Sequence, residues 1–255
     1  MTNLFKALLH DERTATVTAS ACLICQNTLD NHLTLSNILS LGPIQPAIFC
    51  EECLSGLEKI HLKNTCHQCG RPVMAEMPVE VNADGFCSDC QSWHSYHNWY
   101  FKNQALYQYN KIFKDWLVVL KGQGDIRGRF LFADELMAAY RKEPNAIWVP
   151  MPSSSEKVAN RGFNQTALLL EAARIPYKNL LLSKGNKEKQ AYKNRQHRLL
   201  NLHKMSLNQA IGPLDHRKPV VLFDDVYTTG TTMFSAYKAL ELAGFSQISG
   251  LTLAR

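Results

Sequence analysis

All eight cysteines of this 255-residue chain lie at or before position 90, and all belong to pairs of one spacing: Cys22/Cys25, Cys50/Cys53, Cys66/Cys69 and Cys87/Cys90. Two residues between cysteines let both sulfurs of a tight turn face one tetrahedral ion, so eight thiolates suit two Cys₄ zinc sites. A disulfide framework would need an oxidising compartment instead. The segment Met1 to Ala21 has only a short apolar patch, Leu4, Phe5, Leu8 and Leu9, and lacks the continuous core of a signal peptide. With no run long and apolar enough to span a bilayer, the expectation is a soluble, cytoplasmic protein whose thiolates hold metal.

Seventeen residues separate Cys69 from Cys87, within the ordinary ribbon range, whereas twenty-four separate Cys25 from Cys50 and twelve separate Cys53 from Cys66. Sequential pairing follows: Cys22, Cys25, Cys50 and Cys53 on one zinc, Cys66, Cys69, Cys87 and Cys90 on the other, with a cross-braced arrangement as the alternative. Four protein ligands leave no open position for water or substrate, so both ions are expected to be structural. His67 sits inside a knuckle and is expected to be a bystander.

The pattern changes after Gln91. A hydrophobic content of 45% supports two unequal domains, a zinc-ribbon domain over 1–92 and a larger one over 93–255. In the larger, Leu106, Tyr109, Phe113, Trp116, Leu117 and Leu120 recur at three- and four-residue steps and predict an amphipathic helix ending at "KGQGD", Lys121 to Asp125. A second helix is expected from about Gly128 to Tyr140. "AIWVPMP", Ala146 to Pro152, reads as a buried strand entering a loop, and helix signals resume after "RGFNQ", Arg161 to Gln165. Pro219 to Phe223 reads as a parallel strand. Met233, Ala236, Tyr237 and Leu240 mark a helix face that stops at Gly244, and "SQISGLTLA" supplies one more strand. This alternation implies an α/β fold with a parallel sheet covered on both faces, its ligands at the carboxyl ends of the strands.

One stretch then stands out: "VVLFDDVYTTGTT", Val220 to Thr232. Asp224 and Asp225 follow a buried strand, and Thr228, Thr229, Gly230, Thr231 and Thr232 lead into a helix. Exposed N–H groups and the positive end of the helix dipole favour a phosphate there, Gly230 allows close approach, and the threonine hydroxyls add donors. Carboxylates would repel that phosphate, so Asp224 and Asp225 suit the vicinal hydroxyls of a ribose. Two solvated aspartates capping a helix would explain the acidic pair but not the threonine and glycine run.

At these residues the chain resembles the type I phosphoribosyltransferases, whose strand, acidic pair and Thr/Gly loop bind the ribose 5-phosphate of phosphoribosyl pyrophosphate (PRPP). "VPMP" (Val149 to Pro152), "RGFNQ", Gln190, Arg198 and Asn201, together with the cysteine knuckles, are similar to the ComF family over nearly the whole chain from Cys22 onward. The resemblance implies a small N-terminal double zinc ribbon joined to a type I phosphoribosyltransferase fold. It also implies a role in natural transformation and DNA uptake, with single-stranded DNA and a ComFA-like competence helicase as partners. Asp224 and Asp225 would take the ribose hydroxyls and Thr228 to Thr232 the 5-phosphate. Arg161 would meet a pyrophosphate near the loop after Pro150, with Mg²⁺ bound to PRPP, and Lys193, Arg195 and Arg198 are candidates to close over it. The turn "KGQGD" departs from the family pattern, in which an arginine neighbours Lys121, so no anion-binding role is expected of it.

The net charge of +6 permits a polyanionic partner without requiring one. The basic residues concentrate between Lys184 and Lys204, a segment that suits either a solvated loop or contact with phosphates. Trp93, His94, Tyr96, Trp99, Tyr100, Phe101 and Lys102 suit either base stacking or a packed interface. Two functional classes follow: a DNA-binding module that retains a PRPP site, and an active phosphoribosyltransferase of unknown acceptor.

Overall fold

The structure, a computed structural model, describes residues 21–29, 47–73, 81–183 and 205–255. Packing divides the chain into two compact units, 1–56 and 57–255. The boundary expected at 92/93 therefore lies inside the second unit.

In the first unit, a turn carries Cys22 and Cys25, and the short helix α1 (Glu51–Ser55) follows Cys50, whose sulfur caps it by accepting from the Cys53 N–H. The second unit opens with two further turns, the knuckle at Cys66 to Gly70 and helix α2 (Ser88–His97), which begins at Cys87. A four-stranded parallel sheet follows: β1 (Asn103–Tyr107), β2 (Ile147–Pro150), β5 (Val220–Val226) and β6 (Ile248–Ala254), in spatial order β1-β6-β5-β2. A separate antiparallel pair, β3 (Leu181–Ser183) and β4 (Met205–Leu207), flanks the segment 184–204.

The expected strands and the helix after Gly230 are present, whereas the helix expected from Leu106 is corrected. Residues 103–107 form β1, in which Asn103, Ala105 and Tyr107 are the more deeply buried alternate positions, and α3 (Lys111–Leu117) begins only after Asn110. The Asn110 side chain accepts from the Phe113 N–H at 3.0 Å and so sets the start of the helix. A tighter-to-wider transition carries the chain from α3 into a π turn over Val118–Gly122, and a 3₁₀ segment, Ile126–Phe132, leads into α4 (Ala133–Tyr140). The early half of the expected second helix is thus 3₁₀. A short helix that periodicity did not show, α5 (Ser155–Arg161), precedes α6 (Gln165–Ala172).

Adjacent residues of a strand face opposite sides, so each sheet strand feeds two cores. Val220 and Leu222 of β5 join Met233, Phe234, Ala236 and Leu240 of α7 (Thr231–Leu242), together with Trp93, Trp99 and Phe101. Elsewhere Trp116 packs edge to face on Phe113 and Phe132, with Trp116 and Phe132 centroids 4.7 Å apart, and the two phenyl rings are tilted against each other. Full burial of each such side chain contributes roughly 2 to 3 kcal/mol. Among the described residues no helix is long and apolar enough to cross a membrane.

Candidate functional site

The site lies where two neighbouring parallel strands end. β2 and β5 are paired with Pro150 opposite Phe223, and the Met151 N–H donates to the Phe223 carbonyl at 2.8 Å. The loop after Pro150 therefore starts beside Asp224. Asp224 and Asp225 are the fifth and sixth residues of β5, inside the strand rather than after it, so their carboxylates leave on opposite sides. Asp224 is half-buried; burial and then the neighbouring Asp225 charge push its pKa well above the usual carboxylate range. Asp225 is buried and paired with Lys121 Nζ at 2.6 Å. Lys121, to which the sequence assigned no role, is thus brought into the site by the π turn, and both it and Lys157 of α5 act on Asp224 electrostatically.

Beyond β5 the chain turns through Tyr227, Thr228 and Thr229 to Gly230, whose φ of 85° caps α7. A Cβ at Gly230 would lie 2.6 Å from the Tyr227 hydroxyl and 3.1 Å from Trp93 Nε1, so neither conformation nor space admits a larger residue. Thr228, Thr229 and Thr232 are exposed, and the hydroxyls of Thr229 and Thr231 lie 3.0 Å apart. Those threonines immediately precede and begin this twelve-residue helix, whose first N–H groups favour an anion.

The loop after β2 is fixed from the far side. Thr166 Oγ1 and Asn164 Nδ2 donate to the Met151 carbonyl at 2.7 and 3.1 Å, and Ser153 Oγ donates to Gln165 Oε1 at 2.7 Å. Arg161 Nη1 reaches the same Gln165 oxygen at 3.4 Å. "RGFNQ" is therefore the brace of this loop, with Arg161 tied to it through Gln165. Lys193, Arg195 and Arg198 lie outside the described residues.

The cysteines assemble as two sequential quartets, Cys22, Cys25, Cys50, Cys53 and Cys66, Cys69, Cys87, Cys90, with all four sulfurs of each within 4.8 Å of one another. Sulfurs about 3.8 Å apart are what a tetrahedral ion with 2.3 Å zinc–sulfur bonds requires. Cys25 and Cys50 sulfurs stand 3.6 Å apart, and those of Cys69 and Cys87 3.8 Å. Backbone N–H groups of Cys50 and Cys87 also donate to the sulfurs of Cys22 and Cys66, favouring thiolates. Both quartets fit structural zinc. His67 is in neither; its Nδ1 lies 2.8 Å from the Asp84 carbonyl oxygen.

The aromatic cluster divides. Trp93, Trp99 and Phe101 are core, with Trp93 stacked on Phe234 and Trp99 on Phe101. Tyr96 and Tyr100 are 74% and 63% exposed, and Lys102 is exposed beside them in sequence.

Comparison with known proteins settles the family. The chain is 32% identical over 234 residues to competence protein ComFC of Streptococcus pneumoniae (strain ATCC BAA-255 / R6), covering 92% of this chain and 99% of that one. It is 30% identical over 243 residues to ComFC of Bacillus subtilis (strain 168), covering 92% and 94%. The chain belongs to the ComFC family of competence proteins. No protein-family model matches it. Among solved structures it is similar to adenine phosphoribosyltransferase from Trypanosoma brucei, with 15% identity, TM-score 0.33 and coverage of 54% of this chain and 68% of that one. It is similar at the same level to hypoxanthine phosphoribosyltransferase from Staphylococcus aureus, with 15% identity, TM-score 0.30 and coverage of 51% and 62%. What this chain itself displays is an α/β unit whose parallel sheet carries an acidic strand end followed by a threonine and glycine loop.

Proposed function

We propose that this competence-family protein is cytoplasmic, binds Mg²⁺-PRPP at the end of β5, and binds single-stranded DNA in the same unit, in concert with a ComFA-like helicase. The observation that carries the reading is the joining, on one strand end, of a half-buried carboxylate, a Thr/Gly loop and the start of α7. Asp224 accepts hydrogen bonds from ribose hydroxyls, Asp225 is paired with Lys121, and Thr228 to Thr232 receive the 5-phosphate. Bound Mg²⁺ supplies charge neutralisation to the pyrophosphate. Two zinc ions, one per cysteine quartet, are structural.

Support for the DNA contact comes from the exposed Tyr96 and Tyr100 side chains and the exposed Lys102 of the same segment, and from the basic run between Lys184 and Lys204. Anisotropy of labelled single-stranded DNA tests the reading, with and without Mg²⁺-PRPP, in wild type and in the double variant Asp224→Asn/Asp225→Asn. PRPP is expected to change DNA affinity in wild type only. Tight DNA binding with no PRPP effect in either protein refutes the coupled site.

Turnover is favoured by one observation: Arg161 is anchored through Gln165 to the loop where a pyrophosphate would leave. The reaction would be displacement of pyrophosphate at the anomeric carbon of PRPP, with Arg161 receiving the leaving group through a bidentate contact. Pyrophosphate release that Arg161→Met abolishes, measured across candidate acceptors, would establish it.

A further inference from the structure

The loop from Tyr227 to Thr229 is held by two side chains beside the second cysteine quartet. Three consecutive carbonyls of the loop accept hydrogen bonds from outside it. Arg255 Nη1 donates to the Tyr227 carbonyl at 3.1 Å and also to that of Thr228, and Trp93 Nε1 donates to that of Thr229 at 2.9 Å.

Both donors belong to the quartet's surroundings. Trp93 is on α2, three residues past Cys90, and its ring is clamped by Phe234 at 4.9 Å and Trp99 at 5.1 Å. Arg255 follows β6; its side chain is only 6% exposed, it lies over the Tyr227 ring at 4.9 Å, and its Nη2 is 3.6 Å from Asp89, between Cys87 and Cys90. Four thiolates around a dication leave a net charge of about −2, which a buried guanidinium offsets.

The geometry has a direct consequence for the ligand side. All peptide bonds described are trans, and a trans peptide points its N–H opposite its carbonyl. Carbonyls of 227, 228 and 229 drawn toward Arg255 and Trp93 turn the N–H groups of Thr228, Thr229 and Gly230 to the other side, which forms an anion-binding concavity. Ordering such a loop costs conformational entropy, so a scaffold that pre-forms it raises affinity.

We propose that Trp93 and Arg255 are positioning residues that clamp the loop carbonyls and so keep its N–H groups in an anion-binding array, making the second cysteine quartet the foundation of the phosphate site. The inference rests on the phosphoribosyl reading only for the identity of the ligand.

The test uses the full-length zinc-loaded protein and three variants: Trp93→Phe, which keeps the ring stack and deletes the donor, Arg255→Met, and Asp89→Asn, which keeps all ligands. Hydrogen exchange of residues 227–232 in the ligand-free protein is read first, then the Kd for ribose 5-phosphate by calorimetry, with zinc content and melting temperature as controls. Faster exchange confined to 227–232 and about tenfold weaker binding in Trp93→Phe and Arg255→Met, at unchanged zinc content, are expected. A smaller change is expected in Asp89→Asn. If exchange and Kd match wild type in every folded variant, the clamp is wrong. Should wild type bind no ribose 5-phosphate, the ligand reading fails and exchange alone decides: faster in the variants supports the clamp, unchanged overturns it.

Discussion

The two cysteine quartets share a motif and differ in almost everything around it. In the first, Cys25 is exposed and Cys50 half-buried, within a unit that ends at residue 56. In the second, all four cysteines are at most 1% exposed and belong to one continuous cluster with Trp93, Val220, Leu222, Met233 and Phe234. Gly70 of its knuckle packs so closely on β1 that a Cβ would lie 2.9 Å from the Ala105 nitrogen, and the Asn103 side chain donates to the Cys69 carbonyl. The same Cys-x-x-Cys turns thus serve a unit that ends at residue 56 in one place and the packed core of an α/β unit in the other. What a metal site does for a protein depends on what its second layer of side chains touches.

The largest expected effect comes from breaking each quartet in turn. Cys69→Ser should destabilise the 57–255 unit by about 4 kcal/mol and abolish ribose 5-phosphate binding, whereas Cys25→Ser should leave both unchanged. Denaturant unfolding followed by tryptophan fluorescence with parallel calorimetry checks this. Equal losses for the two variants would erase the contrast. Chelation sharpens it further: EDTA should strip one zinc per chain well before the other, and the fast one should vanish in Cys25→Ser, as read by a colorimetric zinc indicator.

The next effect concerns the ion pair at the end of β5. Lys121→Met leaves the buried Asp225 carboxylate without its cation and should cost about 3 kcal/mol, visible only in the transition that carries the second quartet. A shift in a transition belonging to 1–56 would contradict the division into two units.

The smallest effect is a pH dependence. Asp224 binds its proton more tightly in the folded protein than in the unfolded chain, where a carboxyl titrates near 3.8. That preference is fully present below the unfolded pKa, so stability of the 57–255 unit should fall as pH rises from about 4 toward neutrality and slightly beyond. Asp224→Asn should flatten the fall and raise the melting temperature at pH 8 by about 2 °C while weakening ribose 5-phosphate binding. An unchanged pH profile in the variant would remove Asp224 as its origin.

Residue types and short spacings determined much of this protein. Cys-x-x-Cys turns, the strand ending in Asp224 and Asp225, and the Thr/Gly run into α7 are each written within about a dozen residues, because a knuckle, a strand end and a helix start are local objects. The ends of β1 and α3 were less legible, since Leu106, Tyr109 and Phe113 fit a helical stripe although residues 103–107 pair with β6; that preference for pairing is a tertiary matter. Trp93 reaching Thr229, Arg255 reaching Tyr227 and Thr228, and Lys121 reaching Asp225 were decided only by the tertiary structure. These contacts join residues tens to more than a hundred positions apart. A lone Trp, Arg or Lys carries no spacing rule that names its distant partner, and only the packing of α2, β6 and the π turn around the end of β5 brings donor and acceptor together.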